Sequence, residues 1–171
     1  MSIKNIEKQP VILNAQEVRA ILHGGKTQHR SVIIPKVEGV GLRFIDYGKG
    51  WKAYETDDSD TTLPSDDLLV KCPYGAVGDI LNLQGASSGR MIRLGLKITA
   101  IRIEQLQDIS HKDAVAEGVN HFDIEAPLRD QPLSVAQIVF SSHWDAKQLD
   151  DDTGWDSNPW VWVIEFEEVA D

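Results

Sequence analysis

Residues Lys26-Thr27-Gln28-His29-Arg30 place an amine, a hydroxyl, an imidazole and a guanidinium within one short run. The Lys26 amine acts as a base or nucleophile only if its pKa is strongly lowered, by desolvation or by a neighbouring cation such as Arg30 or a protonated His29. Lys26 directly follows a predicted helix end, where the macrodipole favours the ammonium by about 0.3–1 kcal/mol. A charged lysine suits contact with a phosphate or a carbonyl better. The plain alternative is a surface lysine after a helix stop. His29, with an unperturbed pKa of about 6.5, can serve as an acid or base, or stand by as a spectator. The Arg30 fork can hold a phosphate in bidentate fashion, or make an ordinary surface ion pair.

A second group of candidates lies in Cys72-Pro73-Tyr74-Gly75-Ala76-Val77-Gly78-Asp79. Tyr74, like Trp51, offers a ring for stacking on a nucleobase, worth about 1–3 kcal/mol per stacked base, or for core packing. Asp79 sits where a carboxylate either caps the turn or meets a ligand. The lone Cys72 has no partner for an internal disulfide and no paired spacing for zinc. His121 with Asp123 and His143 with Asp145 lack metal-helix spacing. Asp150 to Trp155 misses the glycine and the fifth ligand of a calcium loop. No metal and no cofactor is expected.

These side chains need elements to position them. Asn14 with Glu17 three residues on is a capping box, Val18, Ile21 and Leu22 form one apolar face, and Gly24-Gly25 supply the stop. Residues 26–31 then read as a loop, with a short strand at Val32 to Ile34. Leu42–Asp46 and Trp51–Glu55 flank Tyr47-Gly48-Lys49-Gly50 as a hairpin. Residues 56–67 are expected to be an exposed acidic loop. Leu68 to Lys71 and Ile80 to Leu83 read as strands, with a turn at Gly85 to Gly89. Ile92, Leu94, Leu96 and Ile98 alternate strictly, and then Ile101 and Ile103 continue on the other parity. One extra residue near Thr99-Ala100 predicts a β-bulge of the kind that bends a small barrel. Ser110 opens a short helix closed by Gly118. Residues 134–149 predict a longer helix with Val135, Ile138, Val139 and Leu149 as its stripe, before an acidic loop at 150–157 and a last strand at Trp160 to Phe166.

With 171 residues and no linker or repeat, the chain is expected to form one domain over 1–171, of α+β class: a small bent β-barrel with flanking short helices. No apolar stretch reaches membrane length and no secretory signal stands at the start, so a cytoplasmic location without membrane contact is expected. The formal net charge of −10 argues against unspecific binding to nucleic-acid backbones. Its distribution is uneven: residues 1–52 hold nine Lys/Arg against four Asp/Glu, and residues 53–171 hold eight against 23. The first third can present a basic surface, while the acidic remainder can engage a protein partner.

Four segments, in order, resemble the ASCH family of the PUA-like superfamily, in the version common in phage and prophage genomes: Val18 to Arg30, Cys72 to Leu81, Ile98 to Ser110 with Ala114-Val115-Ala116-Glu117-Gly118, and Trp155 to Phe166. They cover 53 of the 171 residues. The resemblance implies a PUA-like barrel and an RNA or modified-nucleoside ligand, and some members are amidohydrolases on acetylated cytidine. Lys26 matches the family's signature lysine. The threonine expected three residues later is His29 here, with Thr27 one residue on. The glutamate expected near the end of Ile80 to Gly85 has no counterpart, because the stretch reads Leu81-Asn82-Leu83-Gln84-Gly85.

The leading expectation is therefore a domain that binds RNA or a modified nucleotide in a pocket between the first helix, the Lys26 to Arg30 loop and the Tyr74 to Asp79 turn. Lys26, Thr27, Arg30, Tyr74 and Asp79 would bind the ligand. The alternatives are a hydrolase, an amidohydrolase or ribonuclease using Lys26 and His29, and an acidic protein-interaction module of phage origin.

Overall fold

The computed structural model describes residues 8–34, 41–46, 51–56, 69–119, 132–148 and 150–169. Along these the elements are β1 (Val11–Leu13), α1 (Ala15–Leu22), β2 (Gln28–Val32), β3 (Gly41–Asp46), β4 (Trp51–Thr56), β5 (Leu69–Val70), β6 (Ile80–Ser87), β7 (Arg90–Gln105), α2 (His111–Ala116), α3 (Val135–Asp145) and β8 (Trp160–Glu168). The class is mixed α+β. A five-stranded sheet in the order β1-β6-β7-β8-β2 curls into a half-barrel, and β3-β4-β5 form a second sheet.

The curl originates in β7. Its register against β8 shifts between Ile98 and Ala100, where the apolar phase of the sequence slips. Before the bulge Leu96 and Ile98 are buried, and after it Ile103 is. β8 is apolar without a break from Trp160 to Ile164 and again at Phe166, because both its faces are covered there. Trp162, Ile164 and Phe166 join one core with Val18 and Ile21 of α1, while Val161 and Val163 join another with Ala114 and α3.

Local signals explain the helix ends. In α1 the Asn14 side chain accepts from Glu17 N at 2.9 Å and Asn14 N donates to Glu17 Oε2 at 3.0 Å. Ser134 and Gln137 make the equivalent box on α3. α1 lies close on β6 because residue 85 is glycine. A Cβ there would stand 2.5 Å from Val18 Cγ2 and 2.7 Å from the Leu13 carbonyl oxygen.

Several expectations need correction. Residues 28–30 are not loop: strand pairing begins at Gln28, because β2 lies antiparallel to β8 with Gln28 opposite Glu165 and Val32 opposite Val161. Ile34 is outside the strand and exposed. β6 runs on to Ser87, so the turn is confined to Ser88-Gly89. α3 buries Ala136, Phe140 and Trp144 against Leu106, Ile109, Ala114, Val161 and Val163, and of the expected Val135, Ile138, Val139 stripe only Val139 packs, partly buried, on that core. Leu22 is half exposed. Residues 151–153 and 155–157 are short 3₁₀ turns instead of open loop. The hairpin β3–β4 pairs Asp46 with Trp51, while its turn at 47–50 lies outside the described residues. So do 57–67 of the expected acidic loop, Leu68 of the expected strand after it, His121, Asp123 and Leu149. No helix among the described residues is long and apolar enough to cross a membrane.

Candidate functional site

Two backbone contacts bring the chain after α1 against the end of α2. Lys26 and Glu117 form an isolated antiparallel bridge, and Thr27 N donates to the Ala116 carbonyl at 2.8 Å. Gly118 follows with φ of +86°, and a Cβ on it would lie 2.9 Å from both Ala20 Cβ and Lys26 Cβ. Only glycine fits this crossing without strain. The bridge sets the two charged side chains side by side. Lys26 Nζ donates to Glu117 Oε2 at 2.7 Å and to the Glu117 carbonyl at 3.1 Å, with Glu17 Oε1 at 3.9 Å.

The other Glu117 oxygen serves Arg30, whose Nη1 donates to Oε1 at 3.1 Å. Arg30 Nη1 also donates to Gln28 Oε1, and Nη2 pairs with Glu104 and lies 3.7 Å from Asp113 Oδ2. Its guanidinium carbon stands 5.9 Å from the centre of the Phe140 ring. Lys26 and Arg30 side chains are 1% and 0% exposed. Arg102 extends the network to Glu104, Asp113 and Glu165, and Lys147 of the α3 end closes it on Glu17. Five carboxylates (Glu17, Glu104, Asp113, Glu117, Glu165) thus surround four cations (Lys26, Arg30, Arg102, Lys147). Lys26 and Arg30 accordingly add nothing to a basic surface.

The protonation of this cluster follows from its charges. Burial opposes ionisation of Glu17, but the Lys26 and Lys147 ammoniums together outweigh it and hold the carboxyl below its usual range. At Asp113 burial is again outweighed, by hydrogen bonds from Gln28 and Ser110 and by the Arg102 and Arg30 charges. His29 behaves oppositely: burial, reinforced by the Lys26, Lys147 and Arg30 charges against a contrary pull from Glu17, pushes the imidazole down to about 3. At neutral pH it is uncharged.

His29 and Arg30 both line a pocket of about 190 Å³, with Glu17, Glu117, Phe140 and Trp144 among its other walls. It lies between the start of α1, β2, the residues after α2, and α3. The Tyr74 to Asp79 turn is not part of its wall, contrary to the expected placement, because α3 occupies that role. Lys26 is not a wall residue either. Among the described residues the side-chain polar atoms that are buried without a hydrogen-bond partner are His29 Nδ1 and Arg30 Nε.

The remaining predicted residues are dispersed. Thr27 is exposed, and its carbonyl accepts from Phe166 N at 3.0 Å. Tyr74 reaches Ser31 Oγ at 3.0 Å and meets the His29 ring edge-on at 6.2 Å. Asp79 caps its own turn, accepting from Ala76 N at 2.8 Å, and pairs with Lys8 at 3.0 Å. These contacts keep its carboxyl below the usual range. The side chains of Trp51 and Glu55 lie outside the described residues. Burial raises the Cys72 thiol pKa, as for an inert cysteine. No group of three or more His, Cys, Asp or Glu among the described residues is placed to hold a metal ion.

Sequence reasoning missed Glu117, Glu17 as a charge partner, and the α3 wall. Glu117 lies in the Ala114 to Gly118 segment, and the spacing of Glu17 from Asn14 signals only a cap. The 91-residue separation of Lys26 from Glu117 left no spacing to read. Fold and site together define a mixed α+β protein with a half-barrel sheet, a buried ion network and a small polar pocket beside it. No family model, curated protein or solved structure matches the chain.

Proposed function

We propose that this chain is an ASCH-like, PUA-type domain that binds a nucleobase, presented by a modified nucleotide or by RNA, in the pocket at His29 and Arg30. The order of the four resembling segments and the bulged, curled sheet support the family reading. The observation that carries the binding reading is the pair of unpartnered buried atoms, His29 Nδ1 and Arg30 Nε, on two adjacent residues of one pocket. A buried polar atom without a partner costs about 1–3 kcal/mol and persists where a function requires it. Arg30 Nε–H asks for an acceptor such as a ring carbonyl, and neutral His29 offers a second polar contact. The pocket is smaller than the roughly 300–1,000 Å³ of drug-sized sites, in keeping with a base as the inserted group. Phe140 and Trp144 add apolar wall.

Lys26 then acts on the ligand indirectly, by holding Glu117, which in turn holds Arg30. Calorimetric titration of the purified chain with the four ribonucleosides, their monophosphates, acetylated cytidine and short single-stranded RNA tests this reading. Binding weakened about tenfold or more by His29→Ala is expected. Absence of binding to every probe would sink it.

A hydrolase is the second reading, favoured by one observation: Glu117 supplies, 2.7 Å from Lys26, the carboxylate that Leu81 to Gly85 lacks. Release of acetate from acetylated cytidine, lost in Glu117→Gln, would decide for it.

A further inference from the structure

A second, open groove of about 610 Å³ adjoins the pocket. Gln16, Gly118 and Val119 line both. The two cavities differ in charge. The pocket has Glu17 and Glu117 in its wall beside Arg30 and Lys147, which they pair, whereas the groove has Arg19 and His23 and no carboxylate. Arg19 is exposed, and no hydrogen bond or ion pair engages its guanidinium among the described residues. It therefore contrasts with Lys26 and Arg30, whose charges are consumed by their own carboxylates. His23 Nδ1 is tied to the Arg19 carbonyl at 2.7 Å, which fixes the ring at the groove.

The groove lies at the C-terminal end of α1, where free carbonyls would repel an anion. Here the carbonyls of Arg19, Ala20 and Ile21 are already occupied, by the amides of His23, of Gly25 and Lys26, and of Gly24. The Arg19 guanidinium thus faces the groove with little local opposition. It has the planar fork that matches phosphate oxygens.

We infer that this groove takes a phosphate attached to the base held in the neighbouring pocket, with Arg19 as its contact. The inference rests on the nucleobase reading above and adds that the ligand is a nucleotide unit, not a free nucleoside. The phosphate belongs to a mononucleotide or to an RNA chain, and both share the same groove chemistry.

Titration of the full chain with each ribonucleoside, its 3′- and 5′-monophosphates and the matching trinucleotide decides the matter. A monophosphate is expected to bind roughly three- to tenfold more tightly than its nucleoside, the scale of one exposed charge-assisted contact. That advantage should shrink as salt rises. Arg19→Ala should bring the monophosphate to the nucleoside's affinity while leaving the nucleoside's unchanged, and retained circular dichroism would show that the fold is intact. A trinucleotide tighter than the monophosphate assigns the phosphate to RNA, and equal affinities assign it to a free nucleotide; either supports the groove. Equal binding of nucleoside and monophosphate, or an advantage that survives Arg19→Ala, would overturn the inference and leave the nucleobase reading standing. No binding of any probe removes both.

Discussion

Lys26 Nζ lies 2.7 Å from Glu117 Oε2, across 91 residues of sequence, and the two backbones are bridged at the same positions. The two oxygens of Glu117 divide between Lys26 and Arg30, so one carboxylate is shared by two cations that are almost wholly out of solvent. Removing one partner of a buried pair is far more costly than the pair's net contribution, because the remaining charge stays desolvated. Glu117→Ala leaves Lys26 with only Glu17 at 3.9 Å and takes one carboxylate from Arg30, and is expected to destabilise the fold by about 3–5 kcal/mol, a fall in Tm on the order of 10 °C. Glu117→Gln should cost less, since it still accepts hydrogen bonds. Thermal denaturation of both variants checks this, and a Tm within 2–3 °C of wild type (roughly 1 kcal/mol) for Glu117→Ala would contradict it.

The neutral His29 makes stability depend on pH. Its folded value of about 3 lies below its ordinary value of 6.5, so the unfolded chain binds the extra proton between them. Its contribution is complete above about 6.5 and is lost as pH falls toward 3, at no more than about 1.4 kcal/mol per pH unit. Glu17 and Asp113, whose pKa values lie below their ordinary 4.5 and 3.8, add to acid sensitivity only under those values. Urea unfolding at pH 7 and pH 5 therefore isolates His29. Wild type should lose stability over this interval more steeply than His29→Gln, and parallel losses would count against a buried neutral ring.

Gly85→Ala tests the seat of α1. The new methyl would meet Val18 Cγ2 at 2.5 Å and, less yielding, the Leu13 carbonyl oxygen at 2.7 Å. Separation of α1 from β6 should cost about 1–3 kcal/mol, as overpacking does. Chemical denaturation measures this, and wild-type stability would mean that α1 moves away without loss.

Asp79→Ala separates the two places where ligand contacts were expected. Asp79 caps Ala76 N and pairs with Lys8, and it is not in the pocket wall. Affinity for the same nucleosides should stay at the wild-type value. A loss of binding comparable with that of His29→Ala would return the Tyr74 to Asp79 turn to the site.

The sequence alone determined what depends on neighbours a few residues apart. The capping box at Asn14, the Ser110 cap, the alternation of Ile92 to Ile98 and its slip at Thr99-Ala100 all rest on contacts within a turn or on one strand, so residue types reveal them. The same reading put Lys26 and Arg30 together and marked them as chemically important. Tertiary structure alone decided what they touch. Gln28 to Arg30 carry no alternation of apolar residues, so only pairing with β8 makes them strand, and that pairing turns Arg30 inward. The charges it meets there come from Glu104, Asp113 and Glu117, brought up by β7 and α2. Ion pairing falls off with distance in space and is indifferent to distance along the chain. A lysine that reads as exposed after a helix stop is therefore buried once Glu117 arrives beside it.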